Sequence, residues 1–363
     1  MAKESPLTEN HRRNRAQFRE ENGWSMPAHF GDPLQEYGAA RSGVGLFDLC
    51  DHSLLRFTGS DRVSYLHGLV SNDVKALVPG KGIYAAVLDL NGKILADVRI
   101  FCTEDSFLVD LWEPLKERIL AHLNRYLVAD EVEITDVTGE YGMISLQGGK
   151  ARPLLEKLFG SEKVFSTALD HGAVNMDHAE LRVIRADRAG QEGYDLVIPI
   201  KELLSAVSRI QKTGEEFSLR WVGAQAQEIL RIEGGIPRYG IDMDESNILL
   251  ETGLERAVSF QKGCYLGQEV IERIHSRGHV NKKLVGMVLE GESPAERHDS
   301  IRVDEKEIGK VTSSVLSPSL KRPIALGYVH RDYTGPGTKV SIHRNGIAVR
   351  AVVSSLPFQR RSA

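Results

Sequence analysis

Three sets of residues in this chain have the types and spacing that chemistry needs. The first is KGCYLGQE at 262–269, which holds Cys264, one of only three cysteines, with Lys262 two residues before it and a helix-like run, Val270, Ile271 and Ile274, directly after. An ammonium neighbour and a helix N-terminus both stabilise thiolate charge, so Cys264 is a candidate nucleophile, redox thiol or metal ligand, with Lys262 as its electrostatic partner. Inert packing is the alternative, because free cysteines are among the most buried residues. One thiol cannot close a metal site that wants about four ligands. With no second cysteine near it in sequence, a metal at Cys264 needs ligands from a partner or from distant parts of the chain. Cys50 (GLFDLC) and Cys102 (RIFC) sit in apolar runs and read as core.

The second set lies in IYAAVLDLNGKILADVRIF (83–101), two strand-like runs around Asn91-Gly92. Strand alternation puts Ile94, Ala96, Val98 and Ile100 on one face and Leu95, Asp97, Arg99 and Phe101 on the other. A carboxylate in mid-strand on a mostly apolar face is costly unless partnered. Arg99 supplies an ion pair on that face; a ligand pocket is the other use for Asp97. The third set is RIEGGIPRYGIDMD (231–244), with Arg231, Glu233, Arg238, Tyr239, Asp242 and Asp244 around a Gly-Gly turn. Arginines grip carboxylates bidentately and tyrosine adds a ring and a donor, which suits a flat anionic ligand; a salt-bridge network inside the helix and loop fits equally. AGQEGYDLVIP (189–199) carries Asp195 into a strand after a glycine-bounded turn.

These residues need a frame to position them. Residues 54–58 read as a strand and 60–70 as a helix, with Ser60 as N-cap and Val63, Leu66 and Leu69 or Val70 on one face. Asn91-Gly92 tolerates the positive φ angles of a type I′ hairpin turn. Residues 107–111 form another strand, and Pro114 opens a helix on which Leu115, Ile119, Leu123 and Leu127 recur at helical spacing. A similar order returns as strand 142–147, helix 150–159, strands at 181–186 and 194–198, and helix 200–211, which points to an internal duplication. WVGAQAQEILRIEGG (221–235) reads as a helix stopped by Gly234-Gly235, and 236–254 as a long polar loop. From residue 282 the runs become short and alternating between Gly, Pro and Asn-Gly turns, the texture of a β-barrel or sandwich.

The whole chain sets limits. At 363 residues it exceeds what one core usually supports, so two or three domains are expected. A composition of 41% hydrophobic and 26% charged residues is that of a soluble globular protein, and no apolar run is long enough to span a membrane. The net charge of −4 gives no global field for nucleic acid, although basic runs occur at HRRNR (11–15), HSRGHVNKK (275–283) and FQRR (358–361). Three scattered cysteines fit a reduced compartment, and the charged N-terminus lacks a secretory apolar stretch, so a cytoplasmic location without membrane association is expected.

Taken together, GWSMPAHFGDPLQEYGAARSGVGLFDL, VSNDV, LNGKILADVRIF, GQEGYDL, RIEGGIPRYGIDMDE and GKVTSSVLSPSLKRPIALGYV resemble the glycine-cleavage T-protein (GcvT) superfamily over nearly the whole chain. The resemblance implies an α+β fold of three domains: two ferredoxin-like α+β subdomains, at about 50–140 and 141–281 within a folate-binding region 1–281, and a C-terminal β-barrel at 282–358. KGCYLGQE is similar to the K-G-C-[FY]-x-G-Q-E signature of the YgfZ group, folate-binding proteins that support iron–sulfur enzymes. T-proteins carry a K-x-D-F-x-G-type sequence there, without the cysteine. Asp97 falls where T-proteins keep the aspartate that acts in folate chemistry. In GQEGYDL, Gln191 and Asp195 stand where T-proteins have two glutamates, and the pterin contact carries over to Asp195. The resemblance further implies Arg231 for the carboxylates of the folate tail and Tyr239 and Tyr84 for packing on its rings.

Three functions follow as expectations. The leading one is a tetrahydrofolate-binding, YgfZ-type protein that assembles or repairs iron–sulfur clusters with scaffold or client partners, Cys264 acting as one ligand of a transient shared cluster or as a nucleophilic or redox thiol. The alternative is an aminomethyltransferase that moves a one-carbon unit from an aminomethyl carrier to tetrahydrofolate, so that it holds tetrahydrofolate or a one-carbon derivative of it, with Asp97 orienting or deprotonating the reacting groups. The third is a folate-dependent adaptor for tRNA modification, with RNA contact at 275–283.

Overall fold

The computed structural model describes residues 2–177 and 179–358. Of the run at 358–361, all but Phe358 lies outside the described residues. The chain divides into two compact units, one of residues up to 87 with 96–227 and 261–265, the other of 88–95, 228–260 and 266 onward.

The first unit is built on two mixed layers. One sheet has the order Gly82–Leu88, Ile94–Cys102, Phe107–Trp112, His52–Thr58, Glu133–Asp136, with helices Arg62–Leu69 and Lys116–Asn124. The other has the order His171–Met176, Ala179–Arg185, Gly193–Pro199, Tyr141–Gln147, Val44–Asp48, Leu219–Trp221, with helices Ala151–Phe159 and Leu203–Gly214. Each layer runs strand, helix, three strands, helix, and in each the first strand lies beside the fourth. That shared order is what an internal duplication leaves behind. The strand His171–Met176 is absent from the sequence reading; its Gly172 and Asn175 interrupt the β-branched pattern that marks a strand.

The alternation expected in Ile94–Cys102 is present: Ile94, Ala96, Val98 and Ile100 are at most 1% exposed, while Asp97 and Arg99 are half-buried. Two helix boundaries differ from the pattern. Arg62–Leu69 starts two residues late, because Ser60 Oγ donates to Glu131 and Asp61, at the N-cap, spends its side chain on the Glu131 N–H at 2.8 Å. Lys116–Asn124 ends before Leu127, and a 3₁₀ turn at Glu113–Leu115 takes up Pro114. The N-terminal segment, which shows only mixed charge in the sequence, forms the helix Thr8–Arg13 and a sheet of Lys3–Glu4, Trp24–His29 and Gln17–Glu21.

In the second unit, six strands close a barrel in the order Lys282–Leu289, Arg322–His330, Lys306–Ser317, Ser300–Val303, Lys339–Arg344, Ile347–Ser354. Closure removes the open edges that short strands would otherwise expose. Inward residues such as Met287, Ile301, Val311 and Val329 form its core. No helix among the described residues is long and apolar enough to cross a membrane.

Candidate functional site

Asp97 is half-buried in the middle of the strand Ile94–Cys102, beside the strand that carries Tyr84. The hydroxyl of Tyr84 donates to Asp97 Oδ2 at 2.8 Å. Asp97 Oδ1 has no hydrogen-bond partner among the described residues. One oxygen is therefore oriented and the other is left to accept a proton or a ligand donor. Arg99 does not pair with Asp97, as strand alternation suggested; its guanidinium lies 5.6 Å from the centre of the Tyr84 ring and reaches Asp110 at 3.5 Å.

Asp110 is fully buried and opens a second constellation. His52 Nδ1 lies 2.6 Å from Asp110 Oδ1, and Arg188 donates to Asp110 Oδ2 at 2.8 Å and to Asp195 Oδ2 through Nε at 2.8 Å. Burial would raise the Asp110 carboxyl, but His52, Arg188 and Arg99 outweigh it and hold it far below the usual carboxylate range. Burial likewise opposes charge on Arg188, and the two carboxylates it bridges keep it protonated. Asp195 is fully buried with Oδ1 unpartnered, the one orphaned acceptor of this chain of charges. The residues His52, Asp110 and Arg188 escape sequence reading, because each stands alone in its own segment and meets the others only through the sheet.

Lys262 is buried, and its ammonium donates to three backbone carbonyls: His67 O and Val70 O at 2.6 Å, and Asn72 O at 2.9 Å. The helix Arg62–Leu69 ends there, so the cation meets orphan carbonyls and the negative end of the helix dipole together. Burial pushes the amine down to about 8, Lys75 adds to that, and Asp73 opposes it. Its nitrogen also sits 4.7 Å from the centre of the Tyr265 ring. Cys264, between these two anchors, is exposed and free of partners among the described residues, whereas Cys50 and Cys102 are buried as their apolar contexts suggested. Among the described residues no group of three or more His, Cys, Asp or Glu could hold a metal ion, so a metal at Cys264 would draw its other ligands from a partner.

In the second unit, Arg231 is saturated. Its five N–H groups meet Glu228 Oε2 at 2.7 Å, Glu228 Oε1, Ile236 O at 3.0 Å, Asp242 Oδ2 at 2.7 Å and Ser313 Oγ at 2.8 Å. Of the two uses open to the 231–244 segment, the internal network is the one built. Tyr239 is buried, with its hydroxyl 3.4 Å from Ile94 O and 3.2 Å from Glu245. The sequence-selected residues thus fall into two groups: Asp97, Tyr84, Asp195, Lys262 and Cys264 in the first unit, Arg231 and Tyr239 in the second.

Two α+β layers of one repeated order and a closed six-stranded barrel define the class: a GcvT-like fold. Residues 7–262 match the GCVT N-terminal domain and residues 282–359 the glycine cleavage T-protein C-terminal barrel domain. The chain belongs to that family. It is 33% identical over 358 residues to an aminomethyltransferase of Rubrobacter xylanophilus, covering 98% of this chain and 94% of that one. It is 29% identical over 346 residues to an aminomethyltransferase of Bacillus cytotoxicus, covering 94% of this chain and 93% of that one. Its fold superimposes on the glycine cleavage system aminomethyltransferase T of Bartonella henselae with a TM-score of 0.91 at 24% identity, over 99% of this chain and 98% of that one. The Rubrobacter and Bacillus relatives are named for aminomethyl transfer, the alternative among the expected functions, and not for the YgfZ-type role.

Proposed function

We propose that this protein is a tetrahydrofolate-dependent aminomethyltransferase, with Asp97 as its acting carboxylate. The observation that carries the reading is the Tyr84–Asp97 pair, in which one carboxylate oxygen is fixed at 2.8 Å and the other left open. Such a carboxylate can hold an amine of the folate in line with the aminomethyl carbon and take the proton that the nitrogen sheds as its bond to carbon forms and the bond from that carbon to the carrier's sulfur breaks, the sulfur leaving as the lipoyl thiolate. The unpartnered Oδ1 of Asp195 fits the amine and N–H edge of a pterin. Arg231, with every N–H engaged, offers the folate tail no free donor.

A second reading rests on Cys264, whose exposed thiol sits in a segment anchored on both sides. There the chain would bind folate and lend a thiol to an iron–sulfur cluster shared with a scaffold or client protein. One experiment separates the two: turnover of tetrahydrofolate with an aminomethyl-loaded lipoyl carrier protein, for wild type, Asp97→Asn and Cys264→Ser. Aminomethyl transfer predicts a loss of roughly 10²–10⁴ in kcat for Asp97→Asn and wild-type turnover for Cys264→Ser. No turnover in wild type, together with a visible chromophore on anaerobic reconstitution that needs the scaffold and vanishes in Cys264→Ser, would replace the first reading with the second.

A further inference from the structure

We propose that Asn72 is a positioning residue for Asp97, acting through Tyr84, and that Lys262 is the cation that fixes Asn72; the inference rests on the reading of Asp97 as the acting carboxylate. Asp97 itself has its hydrogen bond from Tyr84. The argument is one of connected constraints, all within the first unit.

Gly82–Leu88, the strand that carries Tyr84, lies at the edge of its sheet, so one row of its backbone groups has no neighbouring strand in the ladder. The segment after the Arg62–Leu69 helix fills that row. Val70 bridges Val87, Ser71 N donates to Ala86 O at 3.0 Å, and Ser71 Oγ accepts from Ala86 N at 2.8 Å. Asn72 completes the run with its side chain: Nδ2 donates to the carbonyl of Tyr84 itself at 2.8 Å. Its Oδ1 accepts from Asp73 N at 2.9 Å, which fixes which end of the amide faces the strand. Tyr84 then passes the constraint on, since its hydroxyl holds Asp97 Oδ2 at 2.8 Å.

Lys262 closes the arrangement from the other side. Its three acceptors are the carbonyls of His67, in the last turn of the helix, and of Val70 and Asn72, the two ends of the segment that lies along the edge strand. One ammonium therefore ties together a helix end and the residue that grips Tyr84. The consequence is that the SND tripeptide at 71–73 and Lys262 serve the geometry of Asp97, a carboxylate on a different strand.

Asn72→Asp is the decisive variant. It keeps the acceptor for Asp73 N and the side-chain size but replaces the donor to Tyr84 O with an oxygen. In protein carrying ¹³C-labelled tyrosine, with the Tyr84 Cζ resonance assigned through Tyr84→Phe, we expect Asn72→Asp to move that resonance towards its position in Asp97→Asn, where the hydroxyl has lost its carboxylate acceptor. In turnover we expect kcat to fall at least tenfold, with KM for tetrahydrofolate within about twofold of wild type, since geometry at the reacting atoms is lost and uniform binding is not. A Tyr84 resonance that stays at its wild-type position in Asn72→Asp overturns the inference, whatever the activity. If Asn72→Asp does not fold, Asn72→Ser, which is smaller and keeps an acceptor, puts the same question. Absence of aminomethyl turnover in wild type would defeat the proposed function alone, because the resonance still reports whether Asn72 sets the Tyr84–Asp97 contact.

Discussion

Arg231 carries five N–H donors, and the fold engages all five. Lys262 is used in the same way, its ammonium spent on carbonyls 190 to 195 positions away in the chain. The chemical type of each residue is plain in the sequence, and four of the five hydrogen bonds of Arg231 go to groups within 11 positions of it, but Ser313 lies 82 positions away and carries no signal of its own. For Arg231 the commitment makes a prediction. Arg231→Met leaves Asp242 buried without its cation, and removing one member of such a pair costs about 3–5 kcal/mol. Urea unfolding should show that loss directly. A variant that unfolds at the wild-type midpoint but binds tetrahydrofolate more weakly would return Arg231 to the role of a ligand for the folate tail. Cys264 is the opposite case: its exposure lies within the range the sequence left open, and no protein group among the described residues claims it.

Elements were legible where a pattern is local. The Ile94–Cys102 face, the helix stopped at Gly234-Gly235 and the short barrel strands all follow from periodicity and turn residues. Turn type depended on more than the Asn-Gly pair. In the barrel, Asn345 (φ 49°) and Gly346 (φ 82°) both take positive φ between Arg344 and Ile347, as a type I′ turn requires. At 91–92 only Gly92 does, at 71°, because Asp89 Oδ1 accepts from Asn91 N and Lys93 N and holds the intervening residues in a wider loop. The start of Gly193–Pro199 depends on a group distant in the sequence. A Cβ at Gly193 would lie 2.1 Å from Nε2 of Gln147, which is fully buried. That amide donates to Ser145 Oγ at 2.7 Å and Ala186 O at 2.9 Å, and accepts from Arg188 N at 3.0 Å. Gly193→Ala must therefore displace the group that seats Arg188 beside Asp195. We expect a loss of about 2–3 kcal/mol from the clash and the broken buried hydrogen bonds, read by thermal unfolding. Gln147→Ala should relieve the clash, so the double variant should recover part of that loss; additive losses would show that the glycine matters for backbone freedom instead.

At the scale of the molecule, the repeated sheet order explains why the second layer echoes the first, yet the two layers use their interiors differently. The first buries Asp110 charged, between His52 and Arg188. The second buries His171 beside a cation: Arg182 Nη1 lies 2.8 Å from His171 Nδ1, a contact suited to a neutral ring that accepts. Burial, and then Arg182, lower the imidazole from 6.5 to about 4. In the unfolded chain it titrates near 6.5, so between pH 6.5 and about 4 the unfolded state binds more protons and stability must fall as the solution is acidified. A shift of that size is worth about 3 kcal/mol, fully present above the unfolded value. The carboxylates held low, Asp48, Asp110, Glu113, Glu192 and Glu255 among them, lose their contributions as pH falls through the ordinary carboxylate range and below it, and do so whether or not His171 is present. Urea unfolding from pH 7 to 4 should thus find that wild type loses about 3 kcal/mol more than His171→Gln across the interval. Two curves that fall in parallel would mean that the ring takes up its proton inside the folded layer, with Arg182 moving aside to admit it.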